Sequence, residues 1–161
     1  NYGESDYWVI KLDSARKVLW EKSYGGTKSE RAKSIIQTVD GCFIVIGKSL
    51  SADGDITQNV KAHDLWIIKI DRNGDLLWDK SYGKEISEYA VDIEERDDYI
   101  IIAAQVETSR REPKTNHKND NIWLLKLDNN GEMIWEKEFG ALGNDLCSKI
   151  LIDSVENILI G

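Results

Sequence analysis

WVIKLD at residues 8–13, WIIKID at 66–71 and WLLKLD at 123–128 are three versions of one segment, opened by Trp8, Trp66 and Trp123 at intervals of 58 and 57 residues. Twelve residues beyond each stands a second tryptophan, Trp20, Trp78 or Trp135, within VLWEKSYG, LLWDKSYG and MIWEKEFG. The repeat accounts for all six tryptophans of the 161-residue chain, two per unit. Self-similarity at a fixed period marks a repeat architecture, so it is read before any single element.

The match runs on past the second tryptophan. A small residue recurs in Ala32, Ala90 and Cys147, with an acid two positions earlier in Glu30, Glu88 and Asp145. Paired apolar runs follow: SIIQTV with CFIVIG, VDI with YIIIAA, and KILI with NILIG. Within WVIKLD the residues Trp8, Ile10 and Leu12 fall on one side and Lys11 and Asp13 on the other, the period of two that a strand requires. Arg72-Asn73-Gly74 and Asn129-Asn130-Gly131 read as hairpin turns, because Asn and Gly both tolerate positive φ. Asp40-Gly41 plays that part between a third and a fourth strand, while the first unit carries Ser14-Ala15-Arg16-Lys17 at its first turn.

Four short antiparallel strands per unit, at this period, are the pattern of a β-propeller blade. The expected fold is therefore all-β and propeller-like, with three four-stranded antiparallel blades. Blade 1 covers about 1–49, blade 2 about 62–106 and blade 3 about 119–161, in one domain spanning 1–161. Polar inter-blade loops are expected at 50–61 and 107–118. Rings usually hold four to eight blades. Three blades are thus a partial propeller, completed by the rest of a longer parent, or half of a six-bladed ring closed by a homodimer; both readings stand at this point.

The string W-x-x-K-L-D-x-x-G-x-x-x-W-x-K-x-Y-G-G resembles tandem blade repeats of secreted or surface bacterial and archaeal propeller proteins. NGDLLW and NGEMIW are more distantly similar to the tryptophan-docking motif of quinoprotein-type propellers. The resemblance implies a blade and an extracellular, cell-surface or periplasmic location. It carries over no catalytic residue, since the adjacent cysteines of many quinoprotein enzymes have no counterpart here.

Composition narrows the function classes. Charged residues make up 31% of the chain and the net charge is −8, which argues against a nucleic-acid backbone as partner. The longest fully apolar run, Tyr99 to Ala104, is far too short to insert in a membrane as a helix. Two cysteines, Cys42 and Cys147, make no disulfide framework and have no metal-ligand spacing; both read as small buried residues.

Five sets of residues are candidates for chemistry. Asp53, Asp55 and Asp64 in SADGDITQNVKAHD offer oxygens to a calcium ion, against the alternative of a loop folded by side-chain turns. Asp71 and Asp128 begin stretches that faintly resemble calcium loops but fit hairpin turns better. Lys11, Lys69 and Lys126, with Asp13, Asp71 and Asp128, either ring a channel or form structural ion pairs. Glu30, Glu88 and Asp145 suggest a repeated bond to a backbone turn rather than acid–base work. His63 and His117 sit in the long connections, without ligand spacing, and read as exposed loop residues.

The expected function is a non-catalytic recognition or scaffold module, binding a protein or carbohydrate through its two long loops, where recognition on rigid folds usually resides. SRREPKTNHKND, in the second of them, is the one basic stretch of an acidic chain. The rival reading is part of an enzyme or ligand sensor whose site lies in a central channel. An enzyme should break the repeat with unique polar residues at inward positions, and the three units read alike.

Overall fold

A computed structural model of the chain describes residues 3–58, 63–84, 86–111, 118–140 and 144–161. Among them are twelve strands in antiparallel sheets. They are β1 (Tyr7–Leu12), β2 (Val18–Tyr24), β3 (Glu30–Gln37), β4 (Phe43–Ser49), β5 (Asp64–Ile70), β6 (Leu76–Tyr82), β7 (Ser87–Arg96), β8 (Tyr99–Arg111), β9 (Lys118–Asp128), β10 (Met133–Phe139), β11 (Ile150–Ile152) and β12 (Ile158–Ile160).

The strands group differently from the sequence units. β3-β4-β5-β6 and β7-β8-β9-β10 are the two four-stranded sheets, and the two-stranded β1-β2 and β11-β12 lie at either end of the chain. The boundaries 1–49, 62–106 and 119–161 are therefore out of phase with the sheets by two strands. A tandem repeat fixes its period but not its starting point, and here the sheets break after the second strand of each unit. The stretch 50–63 joins β4 to β5 within one sheet, where Val45 stands opposite Ile68. Residues 107–111 and 118–120 are not loop either, since they extend β8 and β9 as far as an Arg111 to Lys118 pairing. The links between sheets are the short segments after Tyr24, Tyr82 and Phe139.

Alternation along each strand gives a sheet two apolar faces. Ile44, Ile46, Leu65 and Ile67 of the second sheet join Ile93, Ile100, Ile102, Trp123 and Leu125 of the third in one core. Val45, Trp66, Ile68 and Ile70 point the other way and meet Tyr7, Val9 and Tyr24 of the first sheet. Ile101, Ala103 and Leu124 leave the third sheet toward Ile150 and Ile152 of the fourth. The sheets thus stack face to face in chain order, as sheets apolar on both sides must.

Polar ties hold these layers in register. Tyr7 lies against the Trp66 ring at 4.5 Å between centroids and donates its hydroxyl to the Trp66 carbonyl at 2.9 Å. The buried indoles of Trp66 and Trp123 keep their N–H satisfied by Asp79 at 3.3 Å and Glu136 at 2.7 Å, acids on the adjoining strand.

The turns after β1, β5, β9 and β11 share one geometry. In each, an aspartate carboxylate accepts backbone N–H bonds from across the turn: Asp13 from Lys17, Asp71 from Asn73 and Asp75, Asp128 from Asn130 and Glu132, and Asp153 from Val155 and Asn157. The residue three positions after the aspartate takes positive φ: Arg16 at 67°, Gly74 at 81°, Gly131 at 79° and Glu156 at 67°. Neither Asn73 nor Asn130 is left-handed. The expectation that Asn and Gly share the positive φ is thereby corrected: only the glycine does, in a three-residue loop closed by a bulge.

The turn glycine has a second duty, because the tryptophan of the preceding unit lies on it. A Cβ at Gly74 would come within 3.1 Å of the Trp20 ring, and one at Gly131 within 2.9 Å of the Trp78 ring. Around the first contact, Trp20 Nε1 donates to the Arg72 carbonyl at 3.0 Å, Lys22 pairs with Asp75 at 2.5 Å and Tyr24 donates to the Gly74 carbonyl at 2.6 Å. Around the second, Lys80 pairs with Glu132 at 2.6 Å and Tyr82 donates to the Gly131 carbonyl at 2.5 Å.

Arg16 occupies the position that glycine fills in the other two copies, at a cost of about 1 kcal/mol in left-handed strain. Arg16→Gly is expected to stabilise the fold by no more than about 0.5 kcal/mol in urea, since the added freedom of the unfolded chain offsets most of the relieved strain. Gly74→Ala, strained and pressed on Trp20, should cost about 1–2 kcal/mol. Burial, then the nearby carboxylates, pushes Tyr24 and Tyr82 up to about 12. Their folded values lie above the unfolded one, so this stability is complete below pH 10 and is lost as pH climbs toward 12. Tyrosinate absorbance followed alongside circular dichroism should show both groups ionising only as the sheets melt.

Candidate functional site

Asp53 and Asp55 staple the β4–β5 connection onto the link between the first and second sheets. The Asp53 carboxylate accepts the Thr27 N–H and hydroxyl, both at 2.8 Å, which holds it below the ordinary aspartate range. Asp55 accepts the Gly25 N–H at 3.0 Å and returns its own N–H to the Gly25 carbonyl at 3.0 Å. Ile56, between these ties and β5, is buried in the core shared by the first two sheets. Asp64 is elsewhere, fully buried at the start of β5 opposite Ser49 and against Gly83. The candidate calcium triad is not brought together. Among the described residues no group of three His, Cys, Asp or Glu side chains could hold a metal.

Glu30, Glu88 and Asp145 lie at the same three links. Glu30 is buried and collects the Gly26 N–H at 2.9 Å, the Ser49 hydroxyl at 2.9 Å and the Leu50 and Ser51 N–H groups at 3.3 and 3.2 Å. Glu88, equally buried, accepts the Lys84 N–H at 2.8 Å. The backbone N–H groups of Glu30, Glu88 and Asp145 donate to the Ser5, His63 and Asp120 carbonyls at 2.7, 2.9 and 2.8 Å. One repeated device closes every link.

The lysines behave differently from one another. Lys11 donates to the Arg72 carbonyl at 3.1 Å, Lys69 pairs with Asp40 at 2.8 Å, and Lys126 stands over the Tyr99 ring at 3.4 Å. Asp13, Asp71 and Asp128 fold the turns and are not their partners. Lys69 and the Thr38 hydroxyl hold the Asp40 carboxyl well below the ordinary range. His63 is half-buried rather than exposed, with Nδ1 shut away from solvent; His117 lies outside the described residues. Burial raises the thiols of Cys42 and Cys147, so neither is an activated thiolate.

The repeat breaks on the edge strands β3 and β7. Arg31, Tyr89 and Leu146 hold one repeat position, and Lys33, Val91 and Ser148 hold another. β7 lies against β3, β4 and β5. Between the two sheets is a cleft of about 230 Å³ lined by Arg31, Ala32, Lys33, Gly47, Lys48, Tyr89 and Ala90. Lys48 sits 5.1 Å from the Tyr89 ring centroid, and that ring is 40% exposed. Farther along the same edge a second hollow is bordered by Asp92, Glu94, Glu95 and Lys149. The expectation that all three units carry the same inward pattern does not hold on β3 and β7. The repeat itself does not mark these residues, because they stand at positions where the copies differ. The legible signal was the opposite one, charge appearing where the other two copies carry an aromatic, aliphatic or small residue.

The lining of the cleft supplies cations, small residues and one phenol, and no carboxylate, imidazole or thiol. Such a set recognises negative charge beside a flat apolar face; it does not hold a general acid–base pair. No protein-family model and no curated protein matches the chain.

Glu30→Ala leaves the Gly26 N–H and the Ser49 hydroxyl without their acceptor, while the Leu50 and Ser51 N–H groups keep Ser29 O and Ser49 Oγ, and should cost roughly 2–3 kcal/mol in urea. Glu30→Gln, which keeps the oxygen facing Ser49 and Ser51, should cost less than half of that. Millimolar calcium or a chelator should leave both midpoints unmoved.

Proposed function

We propose that this chain is a non-catalytic recognition module, built as consecutive blades and part-blades of a β-propeller, that binds an acidic saccharide in the cleft between β3 and β7. What supports the propeller reading is the face-to-face stack of four-stranded meanders and the repeated seating of a tryptophan on the next sheet's turn. The carrying observation for recognition is the cluster of Arg31, Lys33 and Lys48 around the exposed Tyr89 ring, in a protein of net charge −8. A sugar ring lies flat on tyrosine while its carboxylate faces the guanidinium and ammonium groups. The resemblance of the repeat to secreted and surface proteins supports reading such a module as extracytoplasmic, where acidic polysaccharides are met. The long connections that the sequence marked for recognition are secondary to this cleft, since residues 50–58 are tied down by Asp53, Asp55 and Ile56.

Isothermal titration with trigalacturonate and with its fully methylated ester tests the reading. The acid form should bind, lose affinity with added salt, and weaken about fivefold for each of Arg31→Ala and Lys33→Ala, roughly 1 kcal/mol apiece. The ester should not bind, and chromatography should show the trisaccharide uncut. Equal binding of acid and ester, or none, would remove the saccharide reading; cleavage would favour the enzyme alternative.

A further inference from the structure

The outer strand of the third sheet carries a docking set with nothing seated on it among the described residues. Trp135, Lys137 and Phe139 of β10 hold the repeat positions of Trp20, Lys22 and Tyr24 in β2 and of Trp78, Lys80 and Tyr82 in β6. In those two copies the tryptophan lies on a turn glycine and the lysine pairs with the acid that follows it. Trp135 and Phe139 remain 36% and 37% exposed, and every residue of β10 is open to solvent. The neighbouring fourth sheet is the pair β11-β12, and no further turn of this kind faces Trp135 among the twelve described strands.

We infer that this face takes a β-hairpin of the form Asp-x-x-Gly-acid, seated under Trp135 and Lys137 and added to the free edge of β12. The pairing frame follows from the second sheet. Ile150 pairs with Ile160 as Ile35 pairs with Val45, and Val45 in turn pairs with Ile68. The incoming strand therefore sets its counterpart of Ile68 opposite Ile160.

One hairpin of this chain is disqualified, and it is the one a second copy would bring. A head-to-tail dimer offers β1–β2, whose turn reads Ser14-Ala15-Arg16-Lys17. Arg16 puts a Cβ where the ring has to lie, as the 3.1 and 2.9 Å approaches at Gly74 and Gly131 show. Lys17 stands where Asp75 and Glu132 receive a lysine, so Lys137 would face a like charge. Phe139 has no hydroxyl for the turn carbonyl, which leaves selectivity to the tryptophan and the lysine. The joint accepts another repeat bearing glycine and an acid, and it refuses a second copy of this chain.

The test titrates the full chain with two fluorescent peptides, residues 64–82 as they stand and the same peptide carrying G74R and D75K. The unaltered peptide should bind at least tenfold more tightly. Lys137→Glu in the chain should weaken it, and a D75K peptide should restore binding to that variant. To remove any dependence on peptide solubility, residues 47–82 are also repeated directly after Gly161, with and without the two changes. The unaltered extension should melt several degrees higher than the altered one. Equal affinity for the two peptides together with equal melting of the two extensions would overturn the inference. So would a stable dimer of the chain alone by light scattering, if Lys17→Glu in that dimer strengthened it through Lys137.

Discussion

An indole ring lying on a glycine in the left-handed region is the contact on which the arrangement of sheets depends. The turn is prepared locally. An aspartate carboxylate draws in the N–H groups across the loop, and three residues later the backbone must take positive φ. Glycine serves that φ without strain and, having no Cβ, leaves a flat patch of backbone. Trp20 and Trp78 cover the patches at Gly74 and Gly131, and Lys22 and Lys80 pair with the acid beside each. One short motif thus sets both the hairpin within a sheet and the approach of the sheet before it. The apolar residues between the sheets supply most of the burial, but they are interchangeable aliphatics. The ring on the glycine is the part that specifies register.

Much of this was readable from the residues. Strand positions, the hairpin sites and the structural character of the repeated acid all followed from period-two alternation and from the recurrence itself. The phase of the sheets did not. SADGDITQNVKAHD looks like a linker between blades, yet it joins two strands of one sheet. The choice is made by long-range pairing of β4 with β5, which no short window contains. The extension of β8 to Arg111 was hidden in the same way, beneath a polar, basic sequence that reads as loop.

The cleft was missed for a different reason. A repeat draws the eye to what is constant, and constancy in such a chain reports packing. Arg31, Lys33 and Tyr89 sit on the edge strands β3 and β7 at positions where the copies differ, and they line the cleft where the two sheets face each other. The tryptophan contacts thus lie at the β2 and β6 edges and the non-repeating side chains at the β3 and β7 edges.

The most direct measurement is the proton chemical shift of the turn glycines in solution. With Trp20 and Trp78 seated as described, the Hα signals of Gly74 and Gly131 should be displaced upfield by ring currents, and Trp20→Phe should relax only that of Gly74. If both glycines resonate at ordinary turn positions, and Trp20 and Trp78 are as open to a solvent quencher as the exposed Trp8, the docking contact does not exist and the stack is held together in some other way.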